Sequence, residues 1–187
     1  RLAYYDVLTD LPNRRLLRER IEDALQTRTA PLAHRALLLL DLDHFKTIND
    51  TLGHEVGDEF LRETTQRLQA VVQPPHFVAR IGGDEFVVLT SALDTDYSHA
   101  LACAHALAQQ LLAALAAPCQ MAGHTLHGST SIGVCMFRPG SATIKELLKR
   151  ADLAMYQAKN AGRNQACAFD PAMQARLEES TALTAAL

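Results

Sequence analysis

Residues 36–43 read Ala-Leu-Leu-Leu-Leu-Asp-Leu-Asp, a near-continuous apolar run that ends in acid. It is strand length and bounded by polar residues, which predicts a central β-strand buried on both faces. Such a strand needs covering layers on both sides of its sheet. Side chains alternate along a strand, so Asp41 and Asp43 share one face and Leu42 takes the other.

Phe77 to Leu89 adds the second constraint. Gly82-Gly83 lies between strand-like runs and predicts a β-hairpin with these glycines as its two-residue turn. Glycine accepts positive φ and, having no Cβ, lets another molecule approach the backbone. Asp84 and Glu85 follow directly. They read either as solvated surface charges or as groups that meet a cation or move a proton. A tight hairpin among alternating strands and helices predicts an α/β (α+β) fold. Its core is a central mixed β-sheet of about five strands flanked by helices.

The remaining elements frame these two. Asn13 caps a helix with Leu17, Ile21, Ala24 and Leu25 on one face, expected to end near Thr29-Ala30-Pro31. A short helix carries Phe45, Ile48 and Leu52 and closes at Gly53; a second runs from near Asp58 to about Val72, where Pro74-Pro75 follows. A long alanine-rich helix spans Tyr97 to Leu115, with Leu101, Ala108, Leu112 and Leu115 inward. Two short strands around Gly123 and a better strand, Ser131 to Phe137, come next. Thr143 and Glu146 form a capping box for a helix ending at Gly162, and Gln165 to Phe169 is the last strand. The tail from Pro171 is helix-prone and carries no chemistry, so residues 171–187 read as a connector after a domain of residues 1–170.

A net charge of -3 gives no electrostatic case for nucleic acid or an anionic membrane. No run of apolar residues reaches the length of a membrane span, and no secretory signal opens the chain. The start at Arg1 reads as a piece of a longer protein. Cys103, Cys119, Cys135 and Cys167 are far apart, which suits free thiols in a reducing cytoplasm better than disulfides or zinc. His124-x-x-His127 has no acid or thiol neighbour and reads as structural.

The chemistry gathers at strand ends. Asp41, Asp43, Asp84 and Glu85 would repel one another without a cation, and oxygen ligands suit a hard ion such as Mg²⁺ working on phosphates. Lys46, at the start of the following helix, can hold a polyphosphate together with the helix amides. Asp58 can accept the paired N–H donors of guanine, with the amide of Asn49 beside it. Read structurally, Asp58 is instead a helix cap and Asn49 a turn residue.

Four stretches resemble the GGDEF domain of diguanylate cyclases: Leu8 to Arg14 (LTDLPNR), Asp41 to Asp58 (DLDHFKTINDTLGHEVGD), Gly82 to Phe86 (GGDEF) and Ala151 to Asn164 (ADLAMYQAKNAGRN). The resemblance implies a palm-like nucleotidyl-cyclase fold that joins two GTP into cyclic dimeric GMP (c-di-GMP) with two pyrophosphates. By carry-over, Asp41, the carbonyl of Leu42 and Asp84 bind Mg²⁺ (Mn²⁺ is possible). Asp84, Glu85 and Lys46 form the catalytic set, with Asp84 as general base. Phe45, Lys46, Asn49, Asp58, Gly82, Gly83, Lys159 and Arg163 are the implied substrate contacts. Lys159 and Arg163 lie four apart near a helix end, within reach of one ligand. Each domain holds one GTP, so a homodimer is implied, transient or driven by a sensor, and bacterial second-messenger signalling is the setting.

Where many relatives carry an inhibitory R-x-x-D product site, this chain has Gln73-Pro74-Pro75-His76. Phe169-Asp170-Pro171-Ala172-Met173 resembles the connector to EAL phosphodiesterase domains. That leaves a second reading, a GTP- or c-di-GMP-binding regulatory domain of a GGDEF–EAL protein. A third is a generic nucleotidyl cyclase acting on one nucleotide.

Overall fold

A computed structural model describes residues 3–27 and 32–186. The chain runs α1 (Arg14–Gln26), β1 (Arg35–Leu42), α2 (Phe45–Leu52), α3 (His54–Val71), β2 (Phe77–Gly82), β3 (Glu85–Leu89) and α4 (Tyr97–Ala116). It continues through β4 (Cys119–Met121), β5 (His124–Leu126), β6 (Thr130–Phe137), α5 (Ile144–Asn160), β7 (Gln165–Ala168) and α6 (Pro171–Ala186). Five strands form the central sheet in the order β2-β3-β1-β6-β7, and β4 pairs with β5 separately. Only β6 and β7 run parallel, so the sheet is mixed as expected.

β1 is central, and its alternation divides the core. Ala36, Leu38, Leu40 and Leu42 pack with Phe60, Leu61 and Leu68 of α3 and with α4. Leu37 and Leu39 face the opposite way, against Leu17 and Ile21 of α1 and Leu147, Ala151 and Met155 of α5. Burying such side chains contributes about 1.5–3 kcal/mol each, which fixes the register of β1 and therefore the position of its last acid.

Capping sets the helix starts. The side chain of Asn13 accepts hydrogen bonds from the amides of Arg15 and Leu16, and that of Thr143 accepts one from Glu146. α1 stops at Gln26; the end expected at Thr29–Pro31 falls outside the described residues. α3 begins at His54, not near Asp58. Gly53, with φ of 92°, serves as both the end of α2 and the start of α3, so one glycine breaks the chain and no acidic cap is needed. Asp58 lies inside the helix, which removes the cap reading.

The hairpin also differs by one residue. Gly82 still pairs with Glu85, so the turn is Gly83-Asp84, not Gly82-Gly83. A register shift between Arg80 and Gly82 absorbs the extra residue and moves the turn forward.

Gly133 of β6 is where α5 meets the sheet: a Cβ there would lie 2.1 Å from the Ala151 carbonyl oxygen and 2.4 Å from the Met155 nitrogen. α4 is long and apolar enough to cross a bilayer by length and composition alone. In this fold, however, Ala104, Ala108, Leu111 and Leu115 are buried in the core, with Leu101 at the margin of that face. α6 is a helix as expected, and Met173 and Gln174 are its half-buried side chains among those described.

Asp43 ties three segments together. Its carboxylate accepts hydrogen bonds from Ser129 Oγ at 2.6 Å, Ser131 Oγ at 2.7 Å and the Asn164 amide at 3.1 Å. Asp43→Ala should therefore lower stability by roughly 2–4 kcal/mol, since it leaves buried donors unmet. Asp43→Asn, which keeps one acceptor, should cost less. Denaturant unfolding of the three proteins checks the order.

Candidate active site

The antiparallel ladder between β1 and β3 sets Asp41 directly opposite Glu85. The Leu42 amide donates to the Asp84 carbonyl at 3.2 Å, so the turn is fastened to the end of β1. Residues paired across a ladder project to the same face. Asp41 and Glu85 thus lie on the face of Leu37, Leu39 and Val87, the one covered by α5. Like charges so placed repel.

Burial pushes the Asp84 carboxyl up to about 7, and the neighbouring Asp41 and Glu85 carboxylates add to the rise. Glu85 is raised too, by burial and then by repulsion from Asp41, against the pull of Lys159 and Arg14. The compensating charge comes from α5: Lys159 Nζ forms an ion pair with Asp41 Oδ2. Burial works against the Lys159 charge, but Asp41, Asp84 and Glu85 outweigh it and raise the lysine pKa. The other oxygen, Asp41 Oδ1, is buried and has no hydrogen-bond partner among the described residues.

Asp43 does not join this cluster. It shares the expected face with Asp41, but its carboxylate is taken up by Ser129, Ser131 and Asn164. No group of three or more His, Cys, Asp or Glu side chains assembles a metal site among the described residues. His124 and His127 are exposed, and all four cysteines are free.

The other predicted residues lie on α2, α3, the hairpin turn and the end of α5. Lys46 is exposed in the first turn of α2. Asn49 is half-buried in the last turn of α2, and Asp58 is exposed on α3. Phe45 is buried, its ring 6.4 Å from that of Phe60 and nearly parallel to it. Gly82 and Gly83 both have positive φ, and an added Cβ at either would meet nothing within 4 Å. Arg163 departs from expectation. Lys159 is in the last turn of α5, but Arg163 lies past the helix end, exposed, with φ of 63°. The two are not one helical turn apart.

Two features escaped sequence reasoning. Lys159 as the partner of Asp41 joins residues 118 positions apart, and no local pattern signals that. Arg80 is the second. It donates to the Gly83 carbonyl at 3.0 and 2.7 Å and to both Asp6 carboxylate oxygens at 3.0 Å. Burial opposes ionisation of Asp6, but hydrogen bonds from Thr9 and Arg80 prevail and lower its pKa. Arg80 thereby fastens the signature turn to the start of the chain. Its only sequence signal is its position beside the glycines.

The family model described as "Diguanylate cyclase, GGDEF domain" matches residues 3–165. MucR of Pseudomonas aeruginosa, a bifunctional diguanylate cyclase/cyclic di-GMP phosphodiesterase, is 41% identical over 97% of this chain and 26% of its own length. The diguanylate cyclase DgcP of the same species is 39% identical over 87% of this chain and 23% of its own. The chain thus spans about a quarter of these relatives. The GGDEF domain of TpbB (YfiN) from P. aeruginosa superposes with a TM-score of 0.84 at 35% identity, covering 93% of this chain and 99% of that one. The GGDEF domain of DgcB from Caulobacter crescentus, solved with c-di-GMP, gives 0.79 at 28% identity, covering 90% and 96%. The strand order, the acid cluster at the turn and these matches together show that the chain belongs to the GGDEF family of diguanylate cyclases.

Proposed function

We propose that this domain condenses two GTP molecules into c-di-GMP, with release of two pyrophosphates, in a Mg²⁺-dependent reaction between two facing copies. The observation that carries the reading is the buried, unpartnered Oδ1 of Asp41 beside the raised carboxyl of Asp84. A buried oxygen without a donor is costly, and an all-oxygen set of this kind fits Mg²⁺, with Mn²⁺ as a substitute. Asp41, the Leu42 carbonyl and Asp84 would hold the ion, with Glu85 in support. When bound, the ion screens the triphosphate charge and polarises the α-phosphate.

The chain's own groups do the rest. Asp84 accepts the proton of the attacking 3′-hydroxyl, and a carboxyl raised towards neutrality is well matched to that task. Lys46, Lys159 and Arg163 hold the phosphates. The first turn of α2 has no side-chain cap; the Thr47 amide donates to the His44 carbonyl at 3.0 Å, and the amides of Phe45 and Lys46 ahead of it would face phosphate oxygens. Asn49 and Asp58 read the guanine edge, over the buried ring of Phe45. The open space at Gly82 and Gly83 admits the nucleotide. Each copy supplies one GTP, so two must meet about a two-fold axis. GTP chemistry and free thiols support a cytoplasmic setting. Residues 1–170 would form the catalytic unit, with α6 as a connector.

Feedback at the common product site should be missing. Gln73 is exposed and carries no charge, and the Nδ1 of His76 accepts the Ser91 amide at 3.1 Å. Neither offers the charged fork or the carboxylate that would hold a guanine nucleotide.

With GTP and Mg²⁺, the dimerised domain should release c-di-GMP resolvable by chromatography, and Asp84→Ala should reduce the rate by at least about a hundredfold. A folded, dimeric protein that makes no product would support a regulatory domain instead. In steady-state kinetics, excess GTP should overcome any inhibition by c-di-GMP; inhibition that persists would show a separate product site.

Asp84 also predicts a pH dependence. Its carboxyl is raised in the folded state, so ionisation destabilises the metal-free fold progressively as pH climbs from the ordinary aspartate value of 3.8 to about 7. Asp84→Asn escapes this. Its melting temperature should exceed that of the native domain at pH 8, and the gap should shrink towards pH 5. The difference should be on the order of 1 kcal/mol, because the half-buried group is screened by water.

A further inference from the structure

We propose that Gly57 is a positioning residue for guanine recognition: its missing side chain gives the Asn49 amide the place from which it reads the base. The inference rests on the reading of Asn49 as a guanine ligand.

Gly57 is an odd residue for its place. It is buried inside α3, its amide bonds normally to the Gly53 carbonyl at 3.1 Å, and it is not among the glycines with positive φ. Glycine is a poorer choice than alanine in a helix interior, so backbone conformation gives no reason for it. The contrast with Gly53 is direct: Gly53 has φ of 92° and open space around it.

The surroundings of Gly57 supply the reason. A Cβ there would lie 1.8 Å from Asn49 Oδ1 and 2.9 Å from Asn49 Cγ. The next neighbour, Phe45 Cζ, would be at an ordinary 3.5 Å. The obstacle is therefore one functional amide and not the backbone of α2, so close packing of the two helices does not explain the glycine. Asn49 has its backbone held in place, since its carbonyl accepts the Gly53 amide at 2.9 Å. Behind it, Phe45 is buried against Phe60. With a methyl group at position 57, the Asn49 side chain can only rotate away. That movement involves the free end of a short side chain, so the fold survives while the base reader leaves its post. Asp58, the other proposed reader, follows Gly57 directly and keeps its own position on α3.

The test is a double-mutant cycle on the whole domain. Native protein, Gly57→Ala, Asn49→Ala and the double variant are titrated with Mg²⁺ and the unreactive GTP analogue that has a methylene group between its α and β phosphates. Melting temperature is recorded for each. Gly57→Ala should weaken binding roughly ten-fold, as Asn49→Ala does, with no loss of melting temperature. In turnover it should raise the KM for GTP and leave kcat nearly unchanged. The double variant should bind no more weakly than Asn49→Ala alone. If Gly57→Ala binds like the native domain while Asn49→Ala is weakened, Gly57 does not position the amide. Equal losses in both backgrounds, or a Gly57→Ala protein that no longer folds, overturn the inference as well. If Asn49→Ala itself binds normally, the guanine reading of Asn49 fails first and the inference goes with it.

Discussion

The site depends on carboxylates held closer together than their charges favour. The β1–β3 ladder runs from Leu37 opposite Leu89 to Asp41 opposite Glu85, so apolar pairs fix the register and the acids have no choice of neighbour. Slipping by one residue would relieve the repulsion only by exchanging the two leucine faces of β1 and unmaking both packed layers, one against α3 and α4 and the other against α1 and α5. Hydrophobic burial thus imposes an electrostatic conflict at the strand end. Lys159 answers part of it, and the unpaired Asp41 Oδ1 and the raised Asp84 mark what is left.

Asp41 and Asp43 show how environment separates two identical side chains. Both are buried at the same strand end. Asp43 meets two hydroxyls and an amide and becomes a fastening of the fold. Asp41 meets one ammonium group, leaves one oxygen empty-handed and keeps acid neighbours. The first is chemically quiet; the second is left with an unmet oxygen among acids.

Much of this was legible in the sequence because its signals are local. The apolar run of β1, the glycine turn, Asn13 and Thr143 as caps and Gly53 as a breaker each act within a few residues. The errors were local too, where two signals competed. Gly53 starts α3 without help from Asp58, and a register shift moves the hairpin turn onto Asp84. Other features could not be read at all. The Lys159–Asp41 pair, the Arg80 link between Asp6 and Gly83, and the serines around Asp43 join residues that only the folded sheet brings together. Identity of residues announced the chemistry; the allotment of partners is a tertiary fact.

Gly133 has a consequence beyond packing. Lys159 rides on α5 about one turn beyond Met155, and α5 rests on β6 at Gly133 with no space for a methyl group. α5 also packs on β1 and β7, but Gly133 is a contact with no room to spare, and a stiff helix transmits a wedge there towards the end that carries Lys159. The gauge of the acid site, the gap between the Lys159 ammonium and the Asp41 carboxylate, is therefore set partway along the helix by an atom that is not there.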